Sequence, residues 1–65
     1  MKCYLKERRM EKYLTQKELA ELSGISRSQI NRIEKGHASK VYVETALILA
    51  KYLNCKVEDI FSLDE

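Results

Sequence analysis

The sequence has no proline and no tryptophan, and only two of its 65 residues are glycine. So few turn-forming residues leave no stretch with the composition of a flexible linker or a low-complexity segment. No apolar run approaches the roughly 20 residues that a membrane-spanning helix needs, and the first nine residues lack the apolar core of a signal peptide. We therefore expect a chain that acts in the cytoplasm, without contact to a membrane.

Cysteine and histidine are also scarce. Cys3 and Cys55 lie near opposite ends of the chain. A reducing compartment favours two free thiols. A disulfide between them is the alternative, because the ends of small domains often meet. The single His37 and two distant cysteines match no metal-ligand spacing, so we expect no metal. We also find neither a nucleophile paired with a base nor a glycine-rich phosphate loop, and therefore expect no enzyme and no cofactor.

The composition is that of a folded globular chain, with 45% apolar and 34% charged residues. Its length allows one domain, residues 1–65, and a chain this short buries only about 60% of its unfolded surface. The net charge of +2 is unevenly distributed: residues 26–40 carry four basic side chains and one acidic, whereas residues 41–65 carry two basic and five acidic. A positive centre suits a polyanionic partner, although a solvated surface could also produce it.

Two adjacent helix signals occupy the middle of the chain. Thr15-Gln-Lys-Glu18 reads as a capping box, and Gly24 follows an apolar helical stretch at the position of a left-handed cap. Ser26 repeats the N-cap signal, and Gly36 follows the second stretch. The pattern predicts two helices separated by about three residues, which is the helix-turn-helix spacing, over about residues 15–36.

Three further helices flank this pair in the prediction, which makes the fold class all-α with five helices. They are predicted over about residues 4–13, 43–53 and 57–61. In the first, Leu5, Met10 and Tyr13 are expected to face inward. Asn54 is expected to end the fourth helix in a left-handed conformation, and carboxylates open the fifth.

The helix that starts after Ser26 has two chemically distinct faces. Ile30 and Ile33 fall together and are expected to pack against the helices before them. The opposite face carries no carboxylate and consists of Arg27, Ser28, Asn31, Arg32 and Lys35. A solvated polar face remains an alternative, but arginine and serine near a helix N-terminus suit base edges in the major groove. The first four residues of that face are therefore candidates for reading DNA bases.

Three motifs carry a family resemblance: Leu14-Thr-Gln-Lys-Glu-Leu-Ala20, Gly24-Ile-Ser-Arg-Ser-Gln-Ile30 and Ile33-Glu-Lys-Gly36. With these motifs the chain resembles the Cro/CI-type, or lambda-repressor-like, helix-turn-helix proteins from about residue 5 to residue 61. The resemblance implies a five-helix DNA-binding domain that acts as a homodimer at a palindromic operator on double-stranded DNA. It further implies a regulator of transcription, here a repressor, and we expect no small-molecule effector because the chain has no room for an effector domain.

The resemblance also implies roles for individual residues. Arg27, Ser28 and Arg32 match base-facing positions, and Gln16 matches a glutamine that bonds a phosphate and supports the start of the recognition helix. Candidates for contacts to the DNA backbone are Gln16, Lys17, Ser26, Lys35, Ser39 and Lys40. Arg9 and Glu34 match a structural ion pair between the first helix and the end of the recognition helix, which would explain the one carboxylate near that helix's C-terminus.

The flanking regions depart from the family pattern. Arg8 stands where an aliphatic residue is usual, and Lys56 stands where a capping residue usually precedes the fifth helix. The loop before the fourth helix lacks its frequent proline. Some small relatives add terminal strands, so residues 1–3 could pair with residues 61–65.

The C-terminal part is the expected surface for contacts to a second chain. Tyr52, Phe61 and Leu63 are candidates for a dimer interface, although apolar residues there could also belong to the core, as we expect for Ile60. An alternative function is that of an antitoxin or another protein-interaction module, which would bind a protein partner through its acidic C-terminal part.

Overall fold

The computed structural model describes residues 2–36 and 41–63, and it consists of five short helices and a two-stranded ribbon. The helices are α1 (Leu5–Glu11), α2 (Gln16–Ser23), α3 (Arg27–Glu34), α4 (Val43–Tyr52) and α5 (Val57–Ile60). The strands are β1 (Lys2–Cys3) and β2 (Phe61–Ser62). The five-helix, all-α prediction is confirmed, and the predicted ends of the helices are correct to within two residues.

The helices α2 and α3 begin and end where the sequence predicts. The Glu18 N–H donates to Thr15 Oγ1 at 3.0 Å, and the Thr15 N–H donates to Glu18 Oε1 at 2.8 Å, which completes the capping box. Gly24 ends α2 with a φ of 77°, and Ser26 Oγ accepts from the Gln29 N–H at 3.2 Å to cap α3. Three residues therefore separate the two helices.

Replacing Gly24 with alanine is expected to lower the free energy of unfolding by about 1–2 kcal/mol, because the left-handed conformation strains a residue that has a Cβ. No heavy atom lies within 4 Å of the added Cβ, so the cost is backbone strain and not a clash. Urea unfolding of Gly24→Ala measures it, with Gly24→Asn as the control that tolerates this conformation better. Equal stability of the wild type and the alanine variant would contradict the assignment.

Helix α1 is shorter than predicted, and the prediction that Met10 and Tyr13 face the core is wrong. Tyr13 lies beyond the helix with a φ of 58° and is 93% exposed, and Met10 is 56% exposed. The reason is that Arg9, one turn after Leu5, occupies the inward position. The turn after α1 then closes through a 3.3 Å bond from the Leu14 N–H to the Arg9 carbonyl, and Leu14 packs against the core.

The core collects apolar side chains from every helix and from the turns that follow α2 and α4. Its fully buried residues are Leu5, Leu19, Ile30, Leu49, Leu53 and Ile60. Ile30 and Ile33 are both buried, as the periodicity of the third helix predicts. The core therefore fixes which side of α3 can face outward.

The C-terminal helices show how the two unusual residues, Arg8 and Lys56, are accommodated. A lysine side chain has no acceptor with which to cap α5, but Asp59 Oδ2 accepts from the Lys56 N–H at 3.1 Å. Arg8 Nε donates to the Asp59 carbonyl at 3.0 Å, so the arginine ties α1 to α5 where an aliphatic residue would only pack. Asn54 follows α4 with a φ of 55°, which confirms the predicted left-handed terminator.

The chain termini meet in the two-stranded ribbon. β1 and β2 pair antiparallel, with Lys2 opposite Ser62 and Cys3 opposite Phe61. The Tyr4 N–H also donates to the Ile60 carbonyl at 2.7 Å, so the ribbon continues into α1 and α5. This pairing lies within the two segments that the sequence offers for terminal strands.

Cys3 and Cys55 are free thiols that pack partly buried against the core. Burial raises the pKa of both thiols, so they are neutral and poorly nucleophilic near pH 7. Within residues 2–36 and 41–63, no three potential metal ligands of the His, Cys, Asp and Glu types are grouped. None of the helices in that part of the chain combines the length and the apolar character of a membrane span.

Candidate nucleic-acid interface

The outward side of α3 is the centre of the candidate interface. Arg27, Ser28 and Arg32 are exposed, and Asn31 is half-buried between them and α2. Lys35, the C-cap residue, is exposed as well. The structure thus brings the four predicted base-reading residues and Lys35 to the part of α3 that the isoleucines leave free.

The first turn of α3 and the start of α2 form one continuous surface. Gln16, Arg27, Ser28 and Asn31 line an open depression of about 490 Å³. A neighbouring depression of about 700 Å³ is lined by Arg9, Met10, Tyr13, Leu14, Thr15, Gln16, Lys17 and Arg27. Residues that the sequence assigns to base contacts therefore adjoin residues that it assigns to backbone contacts.

Arg9 and Glu34 form an ion pair beneath this surface. Arg9 Nε donates to Glu34 Oε2 at 2.7 Å and Arg9 Nη2 donates to Glu34 Oε1 at 3.2 Å, which is a bidentate arrangement. The Glu34 side chain is only 4% exposed, and Arg9 Nη1 also donates to the Leu14 carbonyl at 2.6 Å. The pair joins α1 to the end of α3 and removes the carboxylate of α3 from the outer surface.

Gln16 connects this ion pair to the outward face. Its amide nitrogen Nε2 donates to Glu34 Oε1 at 2.9 Å and to Asn31 Oδ1 at 3.2 Å. Both amide hydrogens are therefore engaged inside the protein. A phosphate contact from this side-chain amide would require the exchange of one of these bonds, whereas the backbone N–H of Gln16, in the first turn of α2, needs no such exchange.

The surface around the start of α3 is electropositive for two reasons. Arg27 and Arg32 are its exposed charges on α3, and no acidic residue lies in the first turn of the helix. The orphan amides and the helix dipole add partial positive charge at the same end. Such a surface attracts phosphate and offers donors to base edges.

A match to a known protein family identifies the kind of protein that carries this surface. The family described as helix-turn-helix matches residues 5–60 of the chain. The chain belongs to the helix-turn-helix family of the Cro/CI type. Members of this family are DNA-binding transcriptional regulators, and their lambda-repressor-like fold is the one described above.

Relatives with similar sequences are HTH-type transcriptional regulators from archaea. One from Methanothermobacter thermautotrophicus is 40% identical over all of this chain and 94% of its own length. Another from Methanocaldococcus jannaschii is also 40% identical, over all of this chain and 97% of its own length. Both are named as uncharacterized HTH-type transcriptional regulators. They therefore support membership of this chain in the helix-turn-helix family of transcriptional regulators.

Two solved structures have the same helix-turn-helix fold. The restriction-modification controller protein C.AhdI from Aeromonas hydrophila is 37% identical, with a TM-score of 0.79 over 88% of this chain and 85% of that one. A chain of the SinR protein/SinI protein complex has a TM-score of 0.84 at 24% identity and covers 91% of this chain. This chain spans 57% of that second protein, which therefore supports the fold alone.

In this helix-turn-helix protein, two of the predicted backbone-contacting residues, Ser39 and Lys40, lie outside the described residues. Lys17 is exposed on the first turn of α2, and Ser26 uses its hydroxyl oxygen as the N-cap of α3. Tyr13 lines the larger depression although the sequence pattern assigned it to the core. The sequence pattern could have placed Tyr13 on the surface only if it had predicted that α1 ends at Glu11.

Proposed function

We propose that the protein is a sequence-specific, double-stranded-DNA-binding repressor of transcription that acts as a homodimer at a palindromic operator. The observation that carries the proposal is the acid-free outward side of α3, held in place by the buried isoleucines and by the Arg9–Glu34 pair. Inserted into the major groove, Arg27 and Arg32 would donate to guanine, and Ser28 and Asn31 would contact neighbouring base edges.

Contacts to phosphates would set the register of α3 on the duplex. We assign them to Lys17 and to the backbone N–H of Gln16 on one side, and to Ser26 and Lys35 at the two ends of α3. These residues flank the base-reading surface. Their phosphate contacts would therefore lie along the edges of the major groove that α3 enters.

Replacing Lys35 with alanine is expected to weaken binding to every duplex by a similar factor, because a phosphate contact carries no sequence information. The slope of log K against log salt concentration should become shallower by up to about 0.9, the value of one neutralised phosphate. Fluorescence anisotropy titrations of a specific and a random duplex, each over a series of salt concentrations, measure both effects. An unchanged slope would assign Lys35 to solvent.

A homodimer would present two copies of α3 about 34 Å apart, one turn of DNA. The proposed interface uses the C-terminal surface, where Tyr52 is partly exposed, Leu63 is 83% exposed and Phe61 is half-buried. Sedimentation equilibrium of Leu63→Asp tests it, with Leu22→Asp on α2 as the matched control at another exposed leucine. Dissociation of the first variant alone supports this surface, and equal masses for both variants and the wild type contradict it.

The direct test of the proposed function is selection of bound duplexes from a random library. A repressor of this kind should enrich one palindromic motif with half-sites about 10 base pairs apart. Enrichment of no motif, at salt concentrations where the protein still binds DNA, would leave only non-specific binding.

A protein-interaction role, such as that of an antitoxin, is the second candidate. It is favoured by exposed apolar residues on and beside α4, namely Tyr42, Val43 and Leu47, which the DNA-binding proposal does not use. A protein partner that binds through this part of the chain should co-elute with the wild type in size-exclusion chromatography, but not with Leu47→Asp. DNA binding and a protein partner are compatible, because the two surfaces use different residues.

A further inference from the structure

A chain of hydrogen bonds links the buried ion pair to a base-reading residue. It runs from Arg9 to Glu34, from Glu34 to Gln16, and from Gln16 to Asn31, over distances of 2.7, 2.9 and 3.2 Å. Each bond has a direction, with a donor at one end and an acceptor at the other. The carboxylate of Glu34, which only accepts hydrogen bonds, determines which group is the donor in each of them.

Glu34 fixes the orientation of the Gln16 side chain. Its carboxylate, paired bidentately with the Arg9 guanidinium, only accepts hydrogen bonds. Gln16 must therefore turn its NH₂ group toward Glu34, because the flipped amide would bring two unprotonated oxygens to about the 2.9 Å that now separates donor and acceptor. The second hydrogen of the same NH₂ group then points to Asn31.

Gln16 in turn fixes the orientation of the Asn31 side chain. Since Gln16 Nε2 only donates, Asn31 must present its oxygen Oδ1 to it, as the structure has it. A flipped Asn31 would place two NH₂ groups opposite each other. The nitrogen Nδ2 of Asn31, which carries two hydrogens, is consequently the group left for other partners, and Asn31 lines the depression beside Arg27 and Ser28.

We infer that this relay makes Asn31 a hydrogen-bond donor toward DNA and thereby sets which base it selects. The inference rests on the proposed function, since it concerns the base contacts of α3. Gln16 acts as a positioning residue: it contacts Asn31 and not the base. Arg9 and Glu34 supply the fixed end of the relay.

The direction of the relay favours guanine over adenine at the base pair that Asn31 contacts. Asparagine reads adenine with both amide groups, its oxygen accepting from N6 and its nitrogen donating to N7. Here Asn31 turns its oxygen toward Gln16 and its NH₂ group outward. The two hydrogens of that group match the two acceptors of guanine, O6 and N7, whereas adenine offers one acceptor, N7, and one donor, N6. Cytosine is disfavoured, because its N4 group is itself a donor.

The test compares Gln16→Met with Lys17→Met on operators that differ at one base pair. Asn31→Ala first identifies that base pair as the position where discrimination is lost. The wild type should prefer guanine there by roughly 5- to 150-fold, the range for one good base contact. Gln16→Met frees Asn31 to flip, so the preference should fall to within about threefold, whereas Lys17→Met should weaken all operators and keep the preference. Circular dichroism checks that the variants are folded.

Asn31→Asp is the second variant, and it does not depend on how well Gln16→Met folds. An aspartate still accepts from Gln16 but offers only acceptors to the base, so the preference should move to cytosine at the same position. Loss of affinity for all operators by an equal factor in Gln16→Met, or an unchanged base preference in Asn31→Asp, overturns the relay. A wild type that prefers no operator at any position would instead contradict the proposed function.

Discussion

Replacing Arg9 with alanine is expected to lower the free energy of unfolding by about 3–5 kcal/mol, the cost of removing one partner of a buried ion pair. The Glu34 side chain, 4% exposed, would lose both of its bonds to the guanidinium, and the Leu14 carbonyl would lose its 2.6 Å bond to Arg9. A 65-residue protein has a total stability of only about 3–10 kcal/mol. The melting temperature should therefore fall by at least about 12 °C, or the variant should be largely unfolded.

Glu11→Ala is the control for Arg9→Ala. Glu11 forms an ion pair with Arg8, but its side chain is 61% exposed, and pairs of this kind contribute about 0–1 kcal/mol. Replacing Arg9 and Glu34 together by methionine and leucine should recover part of the lost stability, because no buried charge is then left unpaired, while the Leu14 carbonyl and one amide hydrogen of Gln16 still lose their partners. Urea unfolding of the four proteins measures these differences. A cost below about 1 kcal/mol for Arg9→Ala would contradict a structural role for the pair.

Replacing Arg27 and Arg32 together with alanine is expected to abolish most of the preference for the selected operator. A bidentate contact to guanine discriminates by about 1–3 kcal/mol, and two such contacts that add would contribute on the order of 2–6 kcal/mol. Binding to the operator should weaken by roughly 30-fold to 20,000-fold. Binding to random duplexes should weaken much less, through the loss of two positive charges alone.

The matched control for that pair is Lys2→Ala with Lys6→Ala. It removes the same charge from exposed positions outside α2 and α3. Competition titrations of the operator against a random duplex give the specificity ratio for each protein. If the arginine variant and the lysine variant lost the same factor on both duplexes, the arginines would contribute only charge and would not read bases.

The start and end of α2 and the start of α3 could be predicted from sequence, because the residues that determine them lie within four positions of each other. Thr15 with Glu18, and Ser26 with Gln29, are local pairs that need no knowledge of the rest of the fold. The inward face of α3 followed from the spacing of its isoleucines for the same reason.

The inward side of α1 and the relay through Gln16 could not be predicted in this way. Met10 and Tyr13 have the spacing of core residues, but Arg9 takes the inward position because Glu34, 25 positions later, neutralises it there. Gln16 bonds to Asn31 and Glu34, which are 15 and 18 positions away. Contacts of this range depend on how α1, α2 and α3 pack, and no local pattern in the sequence encodes them.

The crystal structure of the protein bound to its selected operator tests the central claim most directly. We predict that α3 lies in the major groove and that the guanidinium groups of Arg27 and Arg32 approach guanine O6 or N7 to within about 3.2 Å. The isoleucines of α3 should remain buried as they are in the free protein. A complex in which both arginines point to solvent or only to phosphates would contradict the account.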